Sequence, residues 1–365
     1  MTAPARILVR ATNWIGDAVM SLPALRAVRT QFPSAHIAVL ARPWVADLYF
    51  GEAAVDRVIP YPHRSGVHDL AAKWRTAQTL RRERFDLAIL FQNAFESAAI
   101  ARLAGIPRIL GYNRDGRGFL LSQAVPVPLP GEIPTHELYY YLELLRRGDI
   151  ISDTALPEPV LPEPATIRLE GAAAAAARGR EALAGLHIPE PFIGVSPGAA
   201  YGSAKQWLPE RFAESVARLA FEQPSDGGAS ICLFGSPTEI ALCDAVARMI
   251  GEIHPNLYVR NLAGQTSLRT FIDLAAAATL FLTNDSGAMH IASALGTPTV
   301  TVFGATNHLT TGPTGPCARV VRENVSCSPC LLRECPIDHR CMTGVSAARV
   351  IEAAAELIAM HASHR

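Results

Sequence analysis

The residues Asn284-Asp285-Ser286-Gly287, with His290 about one helical turn further on, end an apolar, strand-like run and open a helix-like segment, after which a second apolar run follows at once. A helix starting here presents backbone N–H groups that have no intrahelical partner, and the helix dipole adds to them, so the turn is an anion site. Gly287 permits close approach of a phosphate. Ser286 and His290, four apart, share one helix face. The plainer alternative is an Asp285 N-cap beside a surface histidine.

Four other constellations carry chemistry. In "NWIGDA", Asp17 lies between a strand and a helix, where a side chain at the carboxyl end of a strand is placed as a general base; the alternative is a helix cap. In "SPGAAYGSAKQWLPERF", Gly198 and Gly202 make a flexible loop after a strand, and Lys205 follows as a point charge for a phosphate-bearing ligand or as a solvated surface lysine. The loop is not a Walker A sequence. "GVSPG" matches the hydrolase nucleophile elbow in letters only, because Pro197 follows Ser196 and has no N–H to give to an oxyanion hole. Glu239, near the start of a helix after a strand, is placed either to accept from ribose hydroxyls or simply to complement the helix N-terminus. Finally, "CSPCLLRECPIDHRC" gathers Cys327, Cys330, Cys335 and Cys341 with His339. Its first pair has metal-knuckle spacing and its second does not, so a structural zinc and packed thiols both remain open. No D-x-D occurs, so a diphosphate ligand would be neutralised by Lys205 and the helix start.

These residues need elements to position them. "RILVRA", "HIAVLA" and "RFDLAILF" read as strands, with "SLPALRAVRTQF" and "AAKWRTAQTLRRE" as helices between them. After a proline-rich connection from Ser152 to Gly171 a second alternating series begins. Its strands are "FIGVSPG", "ASICLFG" and the two apolar runs flanking the Asp285 turn; its helices include "GAAAAAARGREALAGL", "PERFAESVARLAFE", "PTEIALCDAVARMIG" and "SLRTFIDLAAA". Alternation of this kind predicts α/β architecture: two doubly wound, Rossmann-like domains facing a cleft, with ligands outside the carboxyl ends of the strands. The expected boundaries are residues 1–165, 166–345 and a C-terminal helix at 346–365.

Bulk properties narrow the class. The 365 residues suit about two domains; 49% are hydrophobic and 18% charged, as in a soluble globular enzyme. A formal net charge of zero argues against a dedicated nucleic-acid binder. Arg6, Arg10 and Asp17 interrupt any signal-peptide centre, and no run reaches a membrane span, which points to a cytoplasmic protein with surface attachment to a membrane left open. Cys232 and Cys243 read as buried small apolar residues.

Taken together, "NWIGDAVMSLPAL", "GYNRDGRGFLL", "SPGAAYGSAKQWLPERF" and "TNDSGAMHIASALGTPTVTVFGATN" resemble the lipopolysaccharide heptosyltransferases, and "CSPCLLRECPIDHRCM" resembles a tail of many type II members. The resemblance spans nearly the whole chain. It implies a GT-B fold, an ADP-heptose donor, inverting transfer without a catalytic metal, and an acceptor in the lipid-linked inner core of lipopolysaccharide at the cytoplasmic face of the inner membrane. By the same resemblance Asp17 is the base and Lys205 contacts the donor diphosphate. Asp285, Ser286, Gly287 and His290 form the donor-binding turn, with Ser196, Gly198 and Glu239 on the same donor side. Where some members carry hydroxyl residues before the lysine, this chain has Ala200 and Tyr201. The anionic acceptor calls for a basic patch in the first domain, for which Arg64, Lys73, Arg75, Arg114 and Arg117 are candidates. The second core heptose is the expected product. Another core position, a nucleotide-sugar epimerase and a binding protein without catalysis are the competing readings.

Overall fold

Continuous apolar runs bounded by turn residues become parallel strands covered on both faces. In the computed structural model, which describes residues 3–62, 67–151, 166–223 and 228–362, six such strands form one sheet: β1 (Arg6–Arg10), β2 (His36–Ala41), β3 (Arg57–Pro60), β4 (Leu87–Leu90), β5 (Arg108–Tyr112) and β6 (Gln123–Val125). Six more form another: β7 (Phe192–Ser196), β8 (Ser230–Leu233), β9 (Val259–Asn261), β10 (Leu280–Asn284), β11 (Thr299–Phe303) and β12 (Ala318–Arg322). The chain divides into two compact units, Met1–Glu163 and Pro164–Arg365, with one sheet in each.

The first sheet runs β3-β2-β1-β4-β5-β6, every pair parallel. The second runs β12-β11-β10-β7-β8-β9, again all parallel. In each, the winding direction reverses once, between β1 and β4 and between β10 and β7. Ligands of open α/β sheets bind beyond the carboxyl ends of the strands at such reversals. The register sets what stands there: Arg10 opposite Leu90 in the first sheet, and Ser196 opposite Thr283 in the second.

The second unit's core shows how the helices are held. Ile193, Val195, Leu280, Leu282, Val300 and Val302 of the strands bury against Phe212 and Val216 of the helix Pro209–Phe221, and against Val350, Ala354 and Leu357 of the terminal helix Ala347–Ala362. Each such Val, Leu, Ile or Phe side chain stabilises the unit by about 1.5–3 kcal/mol relative to exposure. The terminal helix is therefore part of the second unit's core. On the other face, the alanine-rich helix Ala172–Gly185 lies so close to the helix Leu268–Ala277 that a Cβ on Gly179 would sit 2.1 Å from the Asp273 carbonyl oxygen. Arg178 closes this contact with Asp273 at 2.6 Å.

The strand-and-helix series read from the sequence is present, with five strands added: β3, β5, β6, β9 and β12. Among the described residues no helix is long and apolar enough to cross a membrane.

Candidate functional site

Beyond β10 the chain turns at Asp285 and enters the helix Gly287–Ala294, whose N-cap is Ser286. The first intrahelical bond runs from the His290 amide to the Ser286 carbonyl, at 3.4 Å. The amides of Gly287, Ala288 and Met289 thus have no acceptor within the helix. No acidic residue lies in its first turn, and Ser286 makes no side-chain cap bond; its hydroxyl is 3.2 Å from that of Thr283. Asp285 is not the cap. Its carboxylate, 4% exposed, turns instead to the Lys205 ammonium at 2.6 Å and accepts a short hydrogen bond from the Thr306 hydroxyl. His290 is buried in the helix's inner face, so the surface histidine of the plainer reading is absent.

Lys205 comes from the loop after β7. Asn284, fully buried at the end of β10, ties that loop down: its side-chain amide donates to the Pro197 carbonyl at 2.7 Å, and its carbonyl oxygen accepts from the Trp207 amide at 2.9 Å. Trp207 is itself locked in the core, with Nε1 donating to the Val345 carbonyl. The Lys205 ammonium lies 4.7 Å from the centroid of the Tyr201 ring. A pair as enclosed as Lys205–Asp285 costs several kcal/mol if one partner is lost, because the other charge stays buried.

Glu239 takes the helix-start role with one oxygen and leaves the other turned to the β7 loop. Oε2 accepts from the Ser236 amide at 2.7 Å and from the Ser236 hydroxyl at 2.8 Å, a capping box at the start of the helical segment. Oε1 projects over the β7 loop, where a Cβ on Gly198 would stand 1.8 Å from it. That approach, and not a left-handed backbone, is why position 198 is glycine. The structure therefore brings Ser196, Gly198, Lys205, Glu239, Asp285, Ser286 and Gly287 to the carboxyl ends of β7, β8 and β10. Asn284 and Thr306 were missed in the sequence. A polar residue ending a buried strand was the available signal for Asn284, and Thr306 carries none.

In the first unit, Asp17, read from the sequence as lying between a strand and a helix, sits in the first turn of a short helix of its own, Ile15–Met20. Trp14 is the N-cap and makes no side-chain cap bond. The preceding turn is fixed by Arg10, which donates to Asn13 Oδ1 at 2.9 Å, and by Trp44, whose Nε1 donates to the Asn13 carbonyl at 2.9 Å. Arg10 is buried, and burial and the nearby Arg42 charge push it down to about 10. Arg10 and Arg42 both lie over the Tyr61 ring, at 5.2 and 4.1 Å from its centroid. Arg42 pairs with Glu96 at 2.9 Å. Glu137, preceding the helix Leu138–Arg147, is raised by burial and then by the charge of Asp17; the same Asp17 charge acts on buried Tyr141.

The acceptor candidates fare unequally. Arg117 is withdrawn: it is 0% exposed, and its guanidinium donates to the Tyr112 and Gln92 carbonyls and to Asn93 Oδ1, which makes it a structural brace. Lys73 is held by Asp69 at 2.7 Å and Glu96 at 2.8 Å, and these bonds raise it above the ordinary lysine range. Arg114 is half exposed, with the Tyr140 hydroxyl at 3.3 Å and Asp115 at 3.6 Å. Arg75 donates to the Ala71 carbonyl of its own helix. Arg64 lies outside the described residues.

The four thiols of the cysteine-rich segment are free. Cys341 is pushed up by burial and then by Cys327, Cys330 and Cys335, so the four lie within electrostatic reach of one another. Thiolates are the right chemistry for zinc, but among the described residues no three Cys, His, Asp or Glu side chains are gathered so as to hold a metal.

Residues 73–340 match the model of glycosyltransferase family 9 (heptosyltransferase). The chain is 31% identical to lipopolysaccharide heptosyltransferase 2 of Salmonella typhimurium over 87% of this chain and 88% of that one. It is 26% identical to lipooligosaccharide heptosyltransferase 2 of Campylobacter jejuni over 97% and 98%. Among solved structures it resembles the E. coli ADP-heptose LPS heptosyltransferase II, with a TM-score of 0.81, 28% identity, and coverage of 98% and 99%.

Proposed function

The chain belongs to glycosyltransferase family 9, the heptosyltransferases, and from that premise we propose that it transfers a heptose from ADP-heptose to the inner core of lipopolysaccharide, adding the second core heptose. The observation that carries the donor half is the buried Lys205–Asp285 pair set against a helix start that has free amides and no acid in its first turn. The diphosphate lies against the amides of Gly287 and its neighbours and beside the Lys205 ammonium. Glu239 Oε1 is oriented towards a ribose hydroxyl. Relatives of about this chain's length that are named heptosyltransferase 2 support the choice of the second position.

In the first unit, Asp17 is the general base. It takes the proton from an acceptor hydroxyl as that oxygen attacks the anomeric carbon on the face opposite ADP. The new glycosidic bond forms with inversion while the bond from the anomeric carbon to the phosphate oxygen breaks. ADP departs with one more negative charge, which Lys205 and the helix amides stabilise. No step is assigned to a divalent cation. The acceptor is anionic and lipid-linked, and we assign its contact to Arg114 and Lys73 at the surface of the membrane.

The test is to incubate the purified protein with ADP-heptose and EDTA, together with Kdo-lipid A acceptors that carry or lack a first heptose. Transfer only to the heptosylated acceptor is the expected result. Transfer to the bare acceptor would move the protein to the first position, and no transfer to either would end the transferase assignment.

A further inference from the structure

The cysteine-rich segment has no part in the reaction as described, yet it is bonded to the lysine loop at several points. The Tyr201 hydroxyl donates to the Leu331 carbonyl at 2.7 Å. The Ala204 amide donates to the Arg333 carbonyl at 3.0 Å, and His339 Nε2 lies 3.1 Å from the Ala204 carbonyl oxygen. Gly202, at φ 155, admits the segment's backbone: a Cβ there would stand 2.2 Å from the Arg333 carbonyl oxygen. On its other side the segment is tied next to Thr306, with the Leu331 amide donating to the Ala305 carbonyl at 2.8 Å and the Ser328 hydroxyl to the Gly304 carbonyl at 2.6 Å. These bonds flank Lys205 and the hydroxyl that holds Asp285.

The segment also carries a charge to this place. The Arg333 guanidinium lies 5.3 Å from the centroid of the Tyr201 ring, the same ring over which the Lys205 ammonium lies at 4.7 Å. Arg333 is exposed, and among the described residues its guanidinium has no carboxylate partner. Charge balance gives this weight. Lys205 and Asp285 together are neutral, and a helix N-terminus supplies only about half a positive charge. A nucleoside diphosphate sugar brings two negative charges, and the departing nucleoside diphosphate carries a third at full ionisation. Lys205 and the helix start do not balance that. A guanidinium held on an aromatic face, with its N–H fork open to solvent, suits a phosphate.

We propose that Arg333 is a second phosphate-binding cation of the donor site, placed beside Lys205 by the Tyr201 ring that both cations share, and that the cysteine-rich segment is the arm that holds it there. The proposal rests on the reading of the second unit as the ADP-sugar site. It assigns Arg333 to the sugar-side phosphate of a nucleoside diphosphate, where charge develops on departure.

Binding of ADP and of AMP to the full chain, measured by calorimetry, tests it in wild type, Arg333→Ala, Arg333→Lys and, as a control for the site itself, Lys205→Met. Arg333→Ala is expected to weaken ADP by roughly tenfold or more while AMP changes little, since only the second phosphate loses its partner. Arg333→Lys recovers part of the loss, and in turnover the donor KM rises while the acceptor KM stays. An unchanged ADP affinity, or an equal fall for ADP and AMP, overturns the proposal, the second outcome marking a packing role only. If the wild type binds no ADP, or Lys205→Met binds as the wild type does, the donor reading itself falls and this assignment falls with it. Both results differ from a wild-type site that tolerates loss of Arg333.

Discussion

The helices that follow β1 and β10 start the same way and are built for opposite charges. Each leaves a strand at the point where its sheet reverses, and neither N-cap closes with its own side chain. After β1 the acid, Asp17, is inside the first turn of the helix. Its carboxylate opposes the positive end of the dipole there, which disfavours an anion. After β10 the acid, Asp285, stands just before the cap and is drawn aside by Lys205 and Thr306, so the amides stay open to an anion. The position of one carboxylate relative to the helix start thus separates an end that opposes an anion from one that leaves its amides open, and the two roles proposed above follow that difference.

The most severe test of that contrast is Asp17→Ala. Turnover should fall on the order of a thousandfold, the usual worth of a positioned base, while ADP affinity in the second unit stays as it was. Transfer kinetics alongside calorimetry check both halves, and retained turnover would remove Asp17 from the role. Next comes the attempt to convert one end into the other. Gly287→Asp puts an acid into the first turn of the second helix, as Asp17 is in the first. Like charges facing each other cost several kcal/mol, so ADP affinity should drop by roughly a hundredfold, with the fold intact by circular dichroism. Unchanged binding would mean that the diphosphate does not use this helix start.

The contrast was half legible in the sequence. The stretch from β10 to β11 reads correctly as strand, helix and strand because its burial is local: every residue from Leu280 to Asn284 is buried, and the turn chemistry follows at once. What the letters do not show is direction. Asp285 looks like a cap until Lys205, eighty positions earlier, is seen to take its carboxylate. Arg117 looks like a free surface cation until the end of β5 and the turn after β4 enclose it with three acceptors. Arg10 ends a buried strand, and its partners Asn13 and Tyr61 come from the turn after that strand and from the residue that follows β3. Strands β6 and β9 are three residues each, and β9 has no fully buried residue. Edge strands this short leave no periodicity to read, and they exist because a neighbour pairs with them.

A smaller effect is expected where the two oxygens of Glu239 divide their work. Gly198→Ala would place a methyl 1.8 Å from Oε1 and 2.3 Å from the carboxyl carbon, so the side chain must swing and release the Ser236 amide. Loss of that cap costs about 1 kcal/mol, read as a lower Tm. If Oε1 holds the ribose, the donor KM rises several-fold as well, by roughly the worth of one hydrogen bond. A changed Tm with an unchanged KM would leave Glu239 a cap only.

The slightest change sharpens the other end. Glu137 is raised first by its own burial and then by the charge of Asp17, and Coulomb coupling is reciprocal, so ionised Glu137 raises Asp17 as well. Removing that charge in Glu137→Gln lowers the pKa of Asp17. A base must be deprotonated to act, so the acid limb of kcat/KM against pH should move to lower pH, with the plateau reduced because the freed carboxylate is a weaker base. The alkaline limb should stay where it is, since the carboxyl removed from position 137 does not titrate there. If the limb stays in place, either Asp17 does not set it or the two carboxylates are screened from each other by solvent. Asp17→Asn separates these cases, because residual turnover with the limb abolished leaves Asp17 as its origin.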